Sequence, residues 1–459
     1  MAKRFVVPDG YTVQAFRFTL DLTPAKAVSL RRHFGARRKA HNWTVATVKA
    51  DIEAFHAAGT TTPGPSLAGM RKRWNQAKSS VCVNADTGEA WWQEVSKEAF
   101  ADGIRGAVDA YWNWQRSRAG IRQGKAMGFP RFKKKGHDRD RITFTTGTMR
   151  LEPDRRHVTL PRIGTVRVHE NTRRLQRLLA KDRARILAAT VSRRGTRTVV
   201  AFRVVLARPQ QPGVADPDAT VGVDVGVRVL ATVAKPDGTV VDRVPNPRPL
   251  EAALKELRHL GRQRSRRAIG SRRYCQTQAQ ITRLQRRVAD IRAYHIHVLT
   301  TRLAKTHGSI VVEGLDVAAM LRQKGLSGAR ARRRGLSDAA LGDHRRQLRY
   351  KTGWYGSRLV EADRWFPSSK TCHCCGHCQD IGWAEHWTCL ACGTRHQRDD
   401  NAAINLARYE CSTSAVGPVG AAVKRGADRK TRSHRAGGDE ARKGGRPTSA
   451  EQPRDGVPV

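Results

Sequence analysis

The sequence predicts a multidomain α/β protein, and three observations predict it. The alternating stretch YTVQAFRFTL, within Arg4 to Leu22, is followed by helical patterning, and short alternating segments return between Arg141 and Leu206. A valine-rich strand around Asp224 then leads through a hairpin and a long helical segment to a second, buried strand. Two CxxCG repeats near the C-terminal end supply a metal knot.

Thr23 followed by Pro24 is an N-cap and first-turn pair, and Leu30 and Phe34 lie four apart, so a helix begins there. Helical patterning continues through Trp112 and Trp114, broken by GTTTPGPS and VCVNADTGEA. RITF, HVTL, TVRV and TVVAFRVV read as strands separated by turns and one Arg-rich helical piece. The pattern is that of a small β-barrel whose first strand precedes a helical insertion. At the junction stands the basic loop GFPRFKKKG, whose Arg131, Lys133, Lys134 and Lys135 suit phosphate neutralisation; a solvated linker is the competing reading.

In TVGVDVGVRVLATVA, Val221, Val223, Val225, Val227 and Val229 fall on one face, and Gly222, Asp224 and Gly226 on the other. That places Asp224 in mid-strand, with glycines leaving room for a metal and a phosphate to approach. From Leu250 to about Lys305 the chain reads as helical, with Ile281, Leu284, Val288 and Ile291 as the buried stripe and Arg283, Arg286 and Arg287 off it. Such a face tracks a phosphate backbone or is merely solvated. Ser309 to Val312 is a short strand buried on both sides, and Glu313 follows it, where open sheets place ligand-binding groups. LRQKGLSGARARRRGLSDAAL has no hydrophobic pattern and reads as a mobile basic loop, before a helix and a strand around SRLVEAD.

The zinc pattern is Cys372-x-x-Cys375-Gly376, twelve residues, then Cys389-x-x-Cys392-Gly393. Cys374 and Cys378 offer a competing CxxC, and His373, His377 and His386 are further candidate ligands, but the matching glycines favour the first pairing. After it, HQRDDNAAINLARY reads as a helix whose small residues lie close against the sheet and whose N-terminal end delivers a carboxylate. Spacing alone does not separate Asp399 from Asp400, one of which can be no more than an N-cap. Asp224, Glu313 and this acid together read as a metal-dependent nuclease centre.

Composition agrees. Lys and Arg number 86 against 40 acids, a formal charge of +46, and the pI is about 11.2, so a polyanion is the expected partner. Aromatic residues are only 6%, which argues against base stacking as the main mode of recognition. No apolar run is long enough to span a bilayer, MAKRFVVPDG has no signal-peptide core, and six of nine cysteines crowd into residues 372–392. The expectation is a reducing, cytoplasmic, nucleoid-associated setting with no membrane.

GVDVG, VVEGLDV, FPSSKTC with two CxxCG knuckles, and RDDNAAIN, in that order, resemble the TnpB family, the RNA-guided nucleases of bacterial insertion sequences related to type V CRISPR effectors. The resemblance covers nearly the whole chain. It implies an RNase H-like (RuvC) nuclease domain with an inserted zinc knuckle, and an N-terminal β-barrel (wedge) domain with an inserted helical recognition domain. The implied boundaries are 1–22 and 129–216 for the wedge, 23–128 for recognition and 217–365 for RuvC, the last with a helical insertion over about 250–306. They continue with 366–396 for the zinc-binding part, 397–411 for the last RuvC helix and 412–459 for a disordered basic tail.

Carried onto this chain, the resemblance makes Asp224, Glu313 and Asp399 the catalytic carboxylates, holding two Mg²⁺ ions about 4 Å apart, and Cys372, Cys375, Cys389 and Cys392 the ligands of one structural zinc. It implies a guide RNA, double-stranded target DNA and its displaced strand as partners of one chain, with cleavage beside a short flanking motif. Two departures stand out: Gln397 replaces an acid common in the family, and Cys374 and Cys378 are additional. Two other classes compete: a three-acid RNase H-fold transposase that joins strands, and a guided DNA-binding protein that does not cut.

Overall fold

The computed structural model describes residues 7–8, 10–207, 213–322, 328–382 and 384–414. Strand β1 (Tyr11–Asp21) leads into helix α1 (Pro24–Ala57), where Thr23 Oγ1 accepts a hydrogen bond from Lys26 N at 3.4 Å ahead of the N-terminal proline. Helices α2 (Leu67–Val81) and α3 (Lys97–Arg118) complete the helical part. There follow β2 (Arg141–Phe144), β3 (Arg150–Leu151), β4 (His157–Leu160), β5 (Gly164–Val168), α4 (Arg173–Ala180), β6 (Ala184–Arg194) and β7 (Arg197–Ala207).

These seven strands form one antiparallel sheet in the order β2-β6-β7-β1-β5-β4-β3. Inward residues from its length, Phe16, Ile142, Val166 and Phe202 among them, share one core with Leu30 and Phe34 of α1 and Leu175 of α4. The sheet therefore curls about one interior as a barrel does. It is not closed among the described residues, because β2 and the two-residue β3 stand at its edges. Strand β6, unforeseen in the sequence, runs ARILAATVSRR, whose consecutive small and apolar residues hide the period of two.

A second sheet holds β8 (Asp216–Asp224), β9 (Val229–Ala234), β10 (Val240–Pro245), β11 (His307–Glu313) and β12 (Arg358–Ala362), in the order β10-β9-β8-β11-β12. β8, β11 and β12 are parallel and β9 is antiparallel to β8. Between β10 and β11 the helical segment is two helices, α5 (Pro249–Ser265) and α6 (Arg272–Thr306), parted at residues 266–271. Val221, Val223, Ile310 and Val312 of the central strands pack with Leu299 and Leu303 of α6 and Leu348 of α9 (Leu341–Tyr355).

The expected basic loop at 321–341 is corrected. Past the short helix α7 (Val317–Arg322), residues 329–339 are helix α8 (Ala329–Ala339), while 323–327 lie outside the described residues. Its arginines mask an apolar face of Leu336 and Ala339 that meets Val225, Val227 and Met320. Asp338 on α8 accepts from the Leu250 and Glu251 amides at 3.0 and 3.2 Å and from Arg292 Nε at 2.9 Å, so it caps α5 from another helix. Hairpin β13 (His386–Thr388) and β14 (Arg395–Gln397) leads to α10 (Arg398–Ser414). Residues 412–414 thus belong to a helix rather than to the expected tail, and 415–459 lie outside the described residues.

α10 lies directly on β8. A Cβ built on Gly222 would stand 2.0 Å from Ala403 O and 2.4 Å from Ala407 N, both backbone atoms of α10. The open space expected around Gly222 is therefore filled by a helix and not by a ligand. Gly222→Ala is expected to destabilise the protein by about 3 kcal/mol, since neither backbone can yield. Gly261→Ala, in α5 with open space around it, is expected to stabilise by up to about 1 kcal/mol. Urea unfolding of the two variants beside wild type reads both.

Candidate active site

β8 ends at Asp224 and β11 at Glu313. The expectation of a mid-strand Asp224 is corrected: the chain leaves the sheet after it and turns into β9, so Gly226 and Val227 belong to the turn. Since β8 and β11 are parallel with Val223 opposite Val312, the next residue on each, Asp224 and Glu313, emerges at the same edge. α10 starts at this edge and brings Asp399 in its first turn. Asp224 senses the charge of the other two, although the three carboxylates do not close to within 4.8 Å of one another as the cysteine sulfurs do. Asp224 is held well above the usual carboxylate range, first by burial and then by the negative charges of Glu313 and Asp399. Burial raises Asp399 as well, with the Arg398 guanidinium pulling the other way.

Asp399 and Asp400 are separated by their surroundings. Asp400 makes a bidentate pair with Arg243 of β10, at 2.9 and 2.6 Å. Neither Asp399 nor Asp224 makes an ion pair among the described residues. The cap of α10 is Gln397, whose Oε1 accepts from Asp400 N at 2.7 Å. The departure at that position keeps the acceptor that an acid there would supply.

Ser368 was not foreseen. Its Oγ donates to Glu313 Oε1 at 2.5 Å. Ser368 O in turn accepts from Asn405 Nδ2 at 2.8 Å, while Asn401 and Asn405 both donate to Thr371 O, at 2.7 and 2.6 Å. Asn401 Oδ1 also accepts from His373 N at 3.0 Å. Both asparagines of DDNAAIN therefore bolt α10 to the loop that enters the first cysteine knuckle. The repeat of Asn four residues apart, on one helix face, was the signal available in the sequence.

The Sγ atoms of Cys372, Cys375, Cys389 and Cys392 all lie within 4.8 Å of one another, with Cys372–Cys392 and Cys375–Cys389 each 3.6 Å apart. That is far beyond a disulfide bond of about 2.05 Å and close to the ~3.8 Å between sulfurs on a tetrahedral zinc. The two knuckles repeat one frame. Cys372 N donates to His377 O and Gly376 N to Cys372 O; Cys389 N donates to Thr394 O and Gly393 N to Cys389 O. Gly376 and Gly393 have φ of +78° and +70°, where a side chain is strained. Burial pushes the Cys372 thiol up to about 12, a cost that a bound cation offsets.

Among the competing ligands, Cys374 forms a second grouping with Cys372 and His396, whose Nε2 is 3.1 Å from Cys372 Sγ. Cys378 pairs through its backbone with Thr371 and lies in neither group. His373 is held by Asn401, and His386 lies opposite Gln397 in the hairpin.

The basic candidates divide. Arg131, Lys134 and Lys135 are exposed. Lys133 is half-buried against α1, where its amide donates to Asn42 Oδ1 at 2.8 Å and its carbonyl accepts from Asn42 Nδ2 at 3.0 Å. Burial, together with Arg37, lowers its ammonium to about 8. On α6, Arg283 and Arg287 are exposed, whereas Arg286 is half-buried, pairs with Asp290 at 3.5 Å and donates to Arg194 O.

Residues 202–324 match the OrfB_IS605 family model, described as "Probable transposase", and residues 342–406 match that of the Cas12f1-like TNB domain. A Mycobacterium tuberculosis protein named "Putative RNA-guided DNA endonuclease" is 68% identical over 459 residues, which is 100% of both chains. The chain belongs to the TnpB family. Another relative, "Putative RNA-guided DNA endonuclease InsQ" of Escherichia coli K12, is 27% identical over 80% of this TnpB-family chain and 84% of its own length. A chain in a solved Cas12f1–sgRNA–target DNA complex overlaps 87% of this one and 99% of itself, with a TM-score of 0.44 and 14% identity. Among the described residues no helix is long and apolar enough to cross a membrane.

The raised Asp224 has a measurable consequence. Its unfolded chain ionises near pH 3.8, and the folded protein at a higher pH, so stability falls as pH rises through that window. In metal-free buffer, Asp224→Asn is expected to match wild-type stability near pH 3.5 and to exceed it at neutral pH. Melting curves across this range check the sign, and a wild type that gains on the variant with rising pH contradicts it.

Proposed function

We propose that this chain is an RNA-guided DNA endonuclease of an insertion sequence, and that Asp224, Glu313 and Asp399 are its catalytic residues. The observation that carries the reading is the exit of Asp224 and Glu313 side by side from parallel strands β8 and β11, with the charge of Asp399 near enough to help raise Asp224. The full-length 68% identity to a relative named for that activity supports it. The strand order, with β8 between an antiparallel β9 and a parallel β11, supports an RNase H-like (RuvC) domain. The first sheet serves as wedge, α1 to α3 as recognition part, α5 and α6 as the helical insertion and the four-cysteine segment as a zinc knuckle.

Three hard oxygen donors that repel one another suit a divalent ion such as Mg²⁺. When bound, Mg²⁺ supplies an activated water and charge stabilisation at the leaving oxygen. The chain's own residues set where that happens. Asp224 and Glu313 are fixed by paired strands, and Ser368 orients the Glu313 carboxylate. Gln397 and Arg243 fix the start of α10 and engage Asp400, leaving Asp399 as the first-turn acid whose charge reaches Asp224. A guide RNA pairs with the target strand, and the net charge of +46 holds RNA, duplex and displaced strand together. Arg131, Lys134, Lys135, Arg283 and Arg287, being exposed, serve as backbone contacts; Lys133 and Arg286 have structural partners of their own.

Plasmid cleavage by the protein with its cognate RNA and Mg²⁺ tests the reading. Asp224→Ala is expected to lower the rate by about 10³-fold or more; cutting that survives would sink the assignment. Scoring joined as well as cut products separates a transposase, the reading favoured by the description of the family model over 202–324. Total metal analysis is expected to give about one zinc per chain. Cys389→Ser should lose that zinc and, through Asn401, Asn405 and Ser368, most of the cutting, whereas Cys378→Ser should keep both.

A further inference from the structure

The turn after β12 carries a large side chain that the proposed chemistry leaves unused. Trp365 is 79% exposed, and the Arg364 guanidinium lies 5.0 Å from its ring centre. Isolated exposed apolar residues are ordinary, but this one stands on a turn pinned from several sides. Trp365 N donates to Asp363 Oδ1 at 2.7 Å, Phe366 N to Asp363 O at 3.1 Å, and Asp363 N to the Tyr409 hydroxyl at 3.3 Å. Phe366 beneath it packs edge-on against Tyr409 of α10, ring centres 4.9 Å apart. Arg364 is further held by Asp316 at 3.4 Å.

The same turn reaches the acids. Three residues after Trp365, Ser368 donates to Glu313. Three residues span at most about 11 Å, roughly three bases at the 3.4 Å rise of a stacked strand. A largely exposed ring with a guanidinium over one face offers its other face to a base that has left its stack, and the charge of the chain suits the phosphates attached to it.

We propose that Trp365, with Arg364, is a stacking platform for an unpaired base of the DNA strand entering the carboxylate site. The inference rests on the nuclease reading above. It is compatible with an aromatic content of 6%, because one platform positions a strand without carrying its recognition. Trp365 is a positioning residue: it fixes the strand a few nucleotides from the cut and does not touch the reacting atoms.

The test compares wild type with W365A, W365L and W365F, each as the complex with guide RNA. Single-turnover cleavage is measured on targets carrying an abasic site moved one nucleotide at a time past the cut, and affinity for a short single-stranded DNA is measured without Mg²⁺. In wild type, an abasic site at one or two neighbouring positions is expected to slow cutting about 5- to 100-fold. W365A and W365L should be slowed to a similar degree on intact DNA and be indifferent to the abasic site there, while W365F keeps rate and sensitivity, with melting temperatures unchanged throughout. An abasic profile identical in wild type and W365A, or W365L cutting at the wild-type rate, overturns the platform and leaves the nuclease reading intact. A wild type that cuts nothing while W365A and W365L lose single-strand affinity and W365F keeps it overturns the nuclease reading and leaves the platform. Equal single-strand affinity in that uncut case overturns both.

Discussion

Everything at the carboxylate site hangs on one backbone contact, the seating of α10 across Gly222. The helix approaches so closely that its own carbonyl and amide atoms occupy the place of a side chain on β8. Ala402, Ala403 and Ala407, all buried, make the approach possible from the other side. The contact fixes the helix along the strand as well as above it, because Ala403 O and Ala407 N, one turn apart, bracket a single glycine. Asp399, one turn before Ala403, is thereby brought within electrostatic reach of Asp224. A longer separation would leave two acids on a sheet and a third out of reach.

The cysteine knuckles extend that constraint. The loop entering them is gripped by Asn401 and Asn405, and its Ser368 orients Glu313. Arg408 adds a hydrogen bond from the same helix to His373 O. One helix thus reaches β8 through its alanines and β11 through its asparagines by way of the loop. The cysteine cluster stiffens a support that runs, through Ser368, to a Glu313 carboxylate oxygen.

Much of this was legible in the sequence, for physical reasons. Thr23–Pro24 marks a helix start because it meets both requirements of the first turn, an acceptor and a missing donor. The doubled CxxCG names its four sulfurs because two knuckles in one frame converge. Glu313 was legible because a charge directly after a short buried strand has few places to go. What stayed hidden depends on partners distant along the chain. The apolar face of α8 is only two residues wide among arginines and becomes visible when Val225 and Val227 arrive to cover it. Gly222 read as room for a ligand because nothing local shows that a helix 180 residues later fills it. That Asp400 and not Asp399 has an arginine partner likewise depends on Arg243, 157 positions away from Asp400.

The order of the three acids along the chain also orders their arrival in time. The first sheet and its helices are complete by residue 207, while the last carboxylate is added at 399, inside the helix that must then dock on β8. On the ribosome, the first sheet and its helices emerge well before the helix that carries Asp399. A polypeptide released before residue 399 holds the first sheet and lacks the last of the three acids.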